Sequence, residues 1–255
     1  MIEDWQERTN LLIKKDKLEI LKKSNVLIAG LGGVGAFAAE MICRAGVGKM
    51  TIIDSDNVKP SNKNRQLLAM ESTVGLPKAE IMGARLRDIN PEIELCVHNE
   101  YLRDQFSDQI LDEKFDYVVD AIDTLAPKVF FIRGAMLNGL KLVSSMGAGG
   151  RTDPAKIKIA DFSDSHNCDL ARLLRKRLGG FDIKSGFKVV FSTEISSEES
   201  KIHVENVQNK KTTIGTISYL PAIFGCYCAS VVIRDLIGEE VPLEISPYRK
   251  RKQNN

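Results

Sequence analysis

The chain has 255 residues, 43% hydrophobic and 27% charged, enough to bury a full core as one large domain or two interlocked halves. Its 36 basic and 34 acidic residues leave a formal charge of +2, which makes no case for a nucleic-acid binder from composition alone. The opening stretch MIEDWQERTNLLIKKDK is charged from its third residue and holds no apolar segment of export-signal length, and the five cysteines form no C-x-x-C pair. These features exclude a zinc ribbon and point to a cytoplasmic protein with free thiols.

From the N-terminus, short apolar runs alternate with amphipathic segments. Strands are predicted at NVLIAG (25–30), KMTIID (49–54), IELCV (93–97), YVVDAID (117–123) and KLVSSM (141–146). Helices are predicted between them at GAFAAEMICRAG (35–46), PKAEIMGARLRDIN (77–90) and PKVFFIRGAMLNG (127–139). Pro77 and Pro127 suit a first helical turn, and Gly46 and Gly139 suit helix ends. The alternation is that of an α/β protein, a Rossmann-like doubly wound, mostly parallel sheet wrapped by helices.

After GAGGRTDP (147–154) the regularity weakens. AKIKIADF (155–162) and FKVVFSTE (187–194) read as strands around a helix at CDLARLLRKRLGG (168–180). A polar stretch, TEISSEESK, then leads to a short strand, IHVENV (202–207), and a basic loop, QNKKTT (208–213). We divide the chain into an N-terminal arm with a nucleotide-binding half (1–150), a half that extends the sheet and carries substrate contacts (151–240), and a frayed basic tail (241–255) opened by Pro242 and Pro247. The apolar stretch YLPAIFGCYCASVVIRDLIG (219–238) meets Pro221, Arg234 and Asp235 before about 20 apolar residues accumulate, so a buried core helix is expected there, not a membrane span.

AGLGGVGAF (29–37) carries the first chemical signal. A strand feeding a glycine-rich turn into a helix N-terminus exposes unpaired N–H groups and the positive helix pole to an anion. Gly30 permits the tight turn, Gly32 lets a phosphate approach the backbone and Gly35 lets the helix pack against the strand. Asp54 closes the second strand 19 residues beyond Gly35, where an acid takes ribose hydroxyls. NAD and ATP both satisfy this pattern.

Residues further along favour ATP. Asn62, Asn64 and Arg65 follow the second strand in SDNVKPSNKNRQ, and Lys78 lies at the first turn of the next helix. Transfer of AMP to a carboxylate builds negative charge on the α-phosphate and the leaving pyrophosphate, which Arg65 as a fork and Lys78 as a point charge can stabilise. Asp123, in DAID at the end of the fourth strand, can hold a magnesium ion. No cysteine stands out as catalytic: Cys43, Cys226 and Cys228 lie in apolar helices, and His98, His166 and His203 are scattered.

GLGGVG, IIDSD, SNKNRQ, VGLPKAE, INPE and DAID, in that order, resemble the ubiquitin-activating-enzyme-like superfamily of ThiF, MoeB and HesA adenylating enzymes. The resemblance implies that Gly33, Asp54, Ser61, Asn62, Lys63, Asn64, Arg65, Lys78, Asp123 and Thr124 contact ATP and its magnesium. Arg8 in ERTNLLI looks like the family's N-terminal arginine, which reaches the ATP phosphates of the neighbouring subunit, so a homodimer is expected.

The second half resembles a narrower branch, the tRNA threonylcarbamoyladenosine dehydratases (TcdA/CsdL), in GAGGRTDPAKIKIAD, DLARLLRKRL and VVFSTE. This resemblance implies ATP-dependent activation of the threonylcarbamoyl carboxylate on a tRNA adenosine beside the anticodon, followed by ring closure. The alternative is adenylation of a ubiquitin-like sulfur-carrier protein, and a sulfur-transfer protein is a further candidate partner. A tRNA would meet Arg172, Arg175, Lys176 and Arg177 on one helix, Lys210 and Lys211 in a loop, and Arg249 to Lys252 in the tail. Ser192, Thr193 and Glu194, with the GAGG backbone, are expected to shape the acceptor pocket.

Overall fold

A computed structural model describes residues 3–203 and 212–249. The N-terminal arm forms two helices, α1 (Glu7–Ile13) and α2 (Lys15–Lys23), divided at Lys14, whose φ of 73° breaks the helical run. The chain then enters β1 (Asn25–Ala29), α3 (Gly35–Arg44), β2 (Lys49–Ile53), α4 (Lys78–Ile89) and β3 (Glu94–His98). A second run follows: α5 (Asp104–Leu111), β4 (Tyr117–Asp120), α6 (Leu125–Leu137) and β5 (Leu142–Ser145). Gly46 and Gly139 sit just past α3 and α6 with φ of 98° and 65°, as their sequence positions suggest.

The later half supplies β6 (Ile157–Asp161), α7 (Asp169–Leu178) and β7 (Lys188–Ser192). All seven strands share one sheet in the order β3-β2-β1-β4-β5-β7-β6, with β6 alone antiparallel. The order reverses direction at β1, where chain progress switches from one side of the sheet to the other. Ligands of such sheets bind at the carboxyl edge beside that switch. Within β1 the side chains split by strand alternation: Val26 and Ile28 enter the core under α3 and α4, Leu27 and Ala29 the core under α6 and α7. Cover on both faces is why the parallel strands are continuously apolar.

The last long helix, α8 (Tyr219–Leu236), is apolar and long enough to cross a membrane by length and composition. In the structure it is a core helix: Leu220, Phe224, Cys228, Val231 and Val232 are buried against the sheet and α3. Gly225 permits this packing, since a Cβ there would stand 2.5 Å from the Val34 carbonyl oxygen and 2.8 Å from the Phe37 Cβ.

The structure adds one element and corrects two expectations. Residues 104–111, for which no element is predicted above, form α5, held by burial of Ile110 and Leu111. The strand at 117–123 stops at Asp120, because Asp120 turns its carboxylate inward and its Oδ1 accepts the Ile122 N–H at 3.1 Å. The tail from 241 does not fray over its described part. The Glu244 N–H donates to the Ile159 carbonyl at 2.7 Å along the β6 edge, and Arg249 pairs with Asp164 at 2.8 Å. Of the expected strand 202–207, β8 (Lys201–His203) is described, paired with β9 (Thr212–Ile214). Lys210 and Lys211, and the tail beyond Arg249, lie outside the described residues.

Candidate active site

At the carboxyl edge, Gly30 adopts φ of 88°, and a Cβ there would approach the Ala121 carbonyl oxygen to 2.9 Å. A Cβ on Gly35 would lie 1.7 Å from the Gly30 carbonyl oxygen, so only glycine lets α3 begin against the end of β1. Gly33 is flanked by Pro221 of α8 and by Arg65. Gly32 faces space, with Gln66 Nε2 the nearest atom at 3.7 Å from where its Cβ would be. No side chain caps α3; of its first-turn N–H groups, that of Ala36 is turned back to the Gly32 carbonyl at 3.4 Å and that of Ala38 to the Val34 carbonyl at 3.0 Å.

Asp54 locks this loop to the end of β2. Its Oδ2 accepts the Leu31 N–H at 2.6 Å and its Oδ1 the Asp56 N–H at 2.8 Å. Burial raises its pKa, with Lys78 and the two N–H donors opposing. Each oxygen keeps a second lone pair, so the carboxylate can still accept ribose hydroxyls.

Beside it stands Lys78, only 4% exposed, whose Nζ donates to Asp56 Oδ2 at 2.9 Å. Asp56 itself reaches solvent, its side chain 62% exposed. A buried ammonium paired with a solvent-facing carboxylate can exchange that partner for a phosphate oxygen. Arg65 is fixed by its own turn: Nη1 donates to the Ser61 carbonyl at 3.1 Å and to Asn64 Oδ1 at 2.8 Å.

The other residues of this span hold it in shape. Asn62 is buried and accepts the Lys59 N–H at 3.0 Å. Lys63 pairs with Glu71, and Asn64 Nδ2 reaches across to the Thr216 carbonyl at 2.9 Å. The last of these ties the nucleotide side to the C-terminal half.

Asp123 is exposed where the chain leaves β4, and Thr124 follows as the N-cap residue of α6 without capping it through its hydroxyl. Beneath them lies a group that sequence reasoning misses. Lys128, fully buried, pairs with Asp120 Oδ2 at 2.7 Å and donates to the Ile122 carbonyl at 3.1 Å, while Ser144 Oγ donates to Asp120 Oδ2 at 2.6 Å. This buried pair pins the turn that carries Asp123 under the glycine loop. In the sequence Lys128 reads only as part of an amphipathic helix, and its spacing from Asp120 is the one signal of the pair.

On the far side of the edge, Arg151 is 5% exposed and donates to four backbone carbonyls: Gly147, Gly149, Asn167 and Glu194. Glu194 mirrors it by accepting the Thr152 and Asp153 N–H groups, the latter at 2.9 Å. Arg151 thus holds the GAGG loop, and the Glu194 side chain holds the Thr152–Asp153 backbone that follows it. Ser192, however, is fully buried, so it cannot face an acceptor; its Oγ accepts the Glu194 N–H at 3.1 Å. The Thr193 N–H and hydroxyl are both directed to the Lys156 carbonyl. Arg151 falls within the GAGGRTDPAKIKIAD motif, but a lone arginine after a glycine run carries no signal of its partners.

Arg8 is the one predicted site residue that the fold keeps apart from the rest. It is exposed on α1, two residues after Gln6, whose side chain abuts Gly46 at the far end of α3 from the glycine loop. In α7, Arg172, Lys176 and Arg177 are exposed, whereas Arg175 turns back to donate to Ser165 at 2.7 Å. Burial pushes the Cys43 and Cys228 thiols up to about 12, and raises that of Cys226, so none is poised as a nucleophile.

A nucleotide fits this edge. Gly32 leaves room for a phosphate, Lys78 and Arg65 supply charge, and the buried Gln66 Oε1 beside Gly32 has no hydrogen-bond partner. No group of three or more metal-binding side chains occurs among the described residues.

Glycine loop, acid and paired cations at a topological switch define a Rossmann-like nucleotide-binding protein equipped to act on a phosphate. The chain belongs to the ThiF family, which matches it over residues 6–254. It is 38% identical over 237 residues to the tRNA threonylcarbamoyladenosine dehydratase of Bacillus subtilis (strain 168), spanning 90% of this chain and 93% of that protein. The crystal structure of E. coli tRNA N6-threonylcarbamoyladenosine dehydratase, TcdA, in complex with ATP is similar with a TM-score of 0.84 and 32% identity, over 93% of this chain and 97% of that one. The molybdopterin-synthase adenylyltransferase of Escherichia coli (strain K12) is 37% identical over 153 residues, 60% of each chain.

Proposed function

We propose that this protein uses ATP to dehydrate, and so cyclise, N6-threonylcarbamoyladenosine in tRNA through an acyl adenylate. The observation that carries the reading is the extent of likeness. Similarity to the dehydratase runs through nearly all of both chains, whereas similarity to the molybdopterin-synthase adenylyltransferase stops at 60%.

The site supports the chemistry. A carboxylate oxygen of the threonylcarbamoyl group attacks the α-phosphorus of ATP, and pyrophosphate leaves. The charge that develops falls beside Lys78 and Arg65, and the buried Lys78 ammonium acts in a low dielectric. A nucleophile of the same side chain then attacks the activated acyl carbon, AMP departs and the ring closes. An intramolecular attack of this kind needs positioning and no protein nucleophile. Magnesium would be held by Asp123 and would neutralise phosphate oxygens.

In the same reading the protein is a cytoplasmic homodimer, with Arg8 completing the partner's site. The support is α1 itself, where Leu11 is 64% and Leu12 81% exposed next to Arg8, together with five free cysteines. Arg8→Ala should then abolish ATP turnover from outside the glycine loop, and turnover at the wild-type rate would remove the assignment.

The test of the whole reading is incubation with modified tRNA, ATP and magnesium, followed by mass analysis of the nucleosides. The product should be lighter by one water, and an unchanged nucleoside rejects the proposal. The likeness to the molybdopterin enzyme favours one rival, adenylation of a carrier protein within sulfur transfer. That rival predicts pyrophosphate exchange dependent on a Gly-Gly-ended protein and indifferent to tRNA.

A further inference from the structure

The solvent stripe of α6 is apolar where a surface helix is ordinarily polar. Phe130 is 58% exposed and Leu137 67% exposed, with Arg133 between them. Phe181, in the turn that ends α7, is 44% exposed, and its ring centroid lies 6.5 Å from that of Phe130 at an interplanar angle of 56°. The guanidinium carbon of Arg133 stands 4.9 Å from the centroid of the Phe181 ring. Two rings open to solvent with a guanidinium stacked on one of them form a ready surface for flat, electron-rich groups.

The flanking charge selects the partner. The outward face of α7 presents Arg172, Lys176 and Arg177. Arg172 is paired with Asp169, whereas Lys176 and Arg177 form no ion pair among the described residues. The adjacent Asp182 is neutralised by Lys184. An apolar protein partner has no use for unpaired cations at the rim, but a nucleic-acid strand needs both a stacking surface and cations along its phosphates.

Position agrees with charge. Both helices start at the site edge: α6 follows Asp123 and Thr124 directly, and α7 starts just after Asn167, which accepts from Arg151 and donates to the Thr193 carbonyl. At the helical rise of 1.5 Å per residue, Phe130 lies about 9 Å along α6 from Thr124. An RNA base that enters the site must be unpaired, and its neighbours in the loop are then free to stack.

We propose that Phe130, Phe181 and Arg133 form a stacking platform for unpaired bases of the RNA substrate, with Lys176 and Arg177 on its phosphates. This rests on the tRNA reading above and extends it to a surface outside the reacting site. The test is binding of tRNA and of its isolated anticodon stem-loop, with turnover measured alongside. The F130A/F181A variant should bind either RNA roughly five- to a hundred-fold more weakly per stacked base. Its ATP affinity, measured without RNA, should be unchanged, which also reports that it is folded.

F130L/F181L keeps the apolar surface and removes the ring faces, so it should bind weakly as well; wild-type affinity there overturns stacking. K176A/R177A should lower the salt slope of binding by about one for each phosphate that the variant no longer neutralises. Unchanged RNA affinity in F130A/F181A overturns the platform, as does a loss of self-association with RNA affinity intact, which assigns the patch to a second copy of the chain. If the wild type binds RNA through these residues but leaves the modified nucleoside unchanged, the reaction assignment fails while the platform stands.

Discussion

The two sides of the carboxyl edge use charge differently. On the nucleotide side, Lys78 and Arg65 meet side chains or a local turn, with Lys78 held by a carboxylate that is itself in solvent. On the side of the GAGG loop, Arg151 donates to four backbone carbonyls and Glu194 accepts backbone N–H groups. Charge in the first region is free to change partners when a phosphate arrives. In the second it fixes the path of a glycine-rich loop that has little secondary structure to hold it. Substitutions should therefore remove chemistry on one side and architecture on the other.

The largest expected effect is at Lys78. Lys78→Met should lower kcat/KM at least a hundred-fold, the scale of one lost transition-state donor, with the thermal midpoint nearly unchanged. A large fall in the midpoint would mean that Lys78 is structural and would erase the contrast. Arg151→Met should do the reverse. With four carbonyls losing a charged donor, unfolding should become easier by roughly 3 kcal/mol, a midpoint lower by about 6–12 °C in calorimetry. ATP affinity in that variant should stay within a few-fold of wild type.

Glu194→Gln is a finer probe, because the amide keeps one acceptor for the Thr152 and Asp153 N–H groups and loses the other. About 1 kcal/mol of stability should go, read by urea titration, and a selective rise in KM for tRNA over ATP would show the loop shaping the acceptor side.

The smallest effect is at Glu40, remote from both regions. Burial works to raise its pKa, but hydrogen bonds and charge from Arg85 and Arg44 hold it below the ordinary range. A depressed carboxylate stabilises the fold above its unfolded pKa and ceases to do so as pH falls through the folded value. Glu40→Gln should thus lose roughly 1 kcal/mol at pH 7, a gap to wild type that closes below about pH 4.

Much of the nucleotide side is legible in the sequence. Glycines 30, 32, 33 and 35, Asp54, Arg65, Lys78 and Asp123 lie at or beside ends of parallel strands, and strand ends are marked by local composition. Around the GAGG loop the sequence shows less. Ser192 is buried because both faces of β7 are covered, so a residue at the end of that strand meets core whichever face it takes, and the sequence does not show how far the cover extends. Residues 104–111 carry a helical spacing in Phe106, Ile110 and Leu111, but three apolar positions in eight residues are too few to separate it from a loop without the core they pack into.

What the sequence by itself determined is the α/β alternation, the glycine loop with its distal acid, and the order of motifs, because each arises from contacts within a few residues or one strand-turn-helix unit. Only the tertiary structure decided which charges are buried against which partners. Asp120 meets Lys128 through a turn and Ser144 through a neighbouring strand, and Arg151 reaches a carbonyl 43 residues away. Gly225 closes against the turn that starts α3, about three quarters of the chain away from the glycines it supports. Such partners are brought together by burial of the sheet's two faces, a cooperative outcome of the whole core, and no local pattern records it.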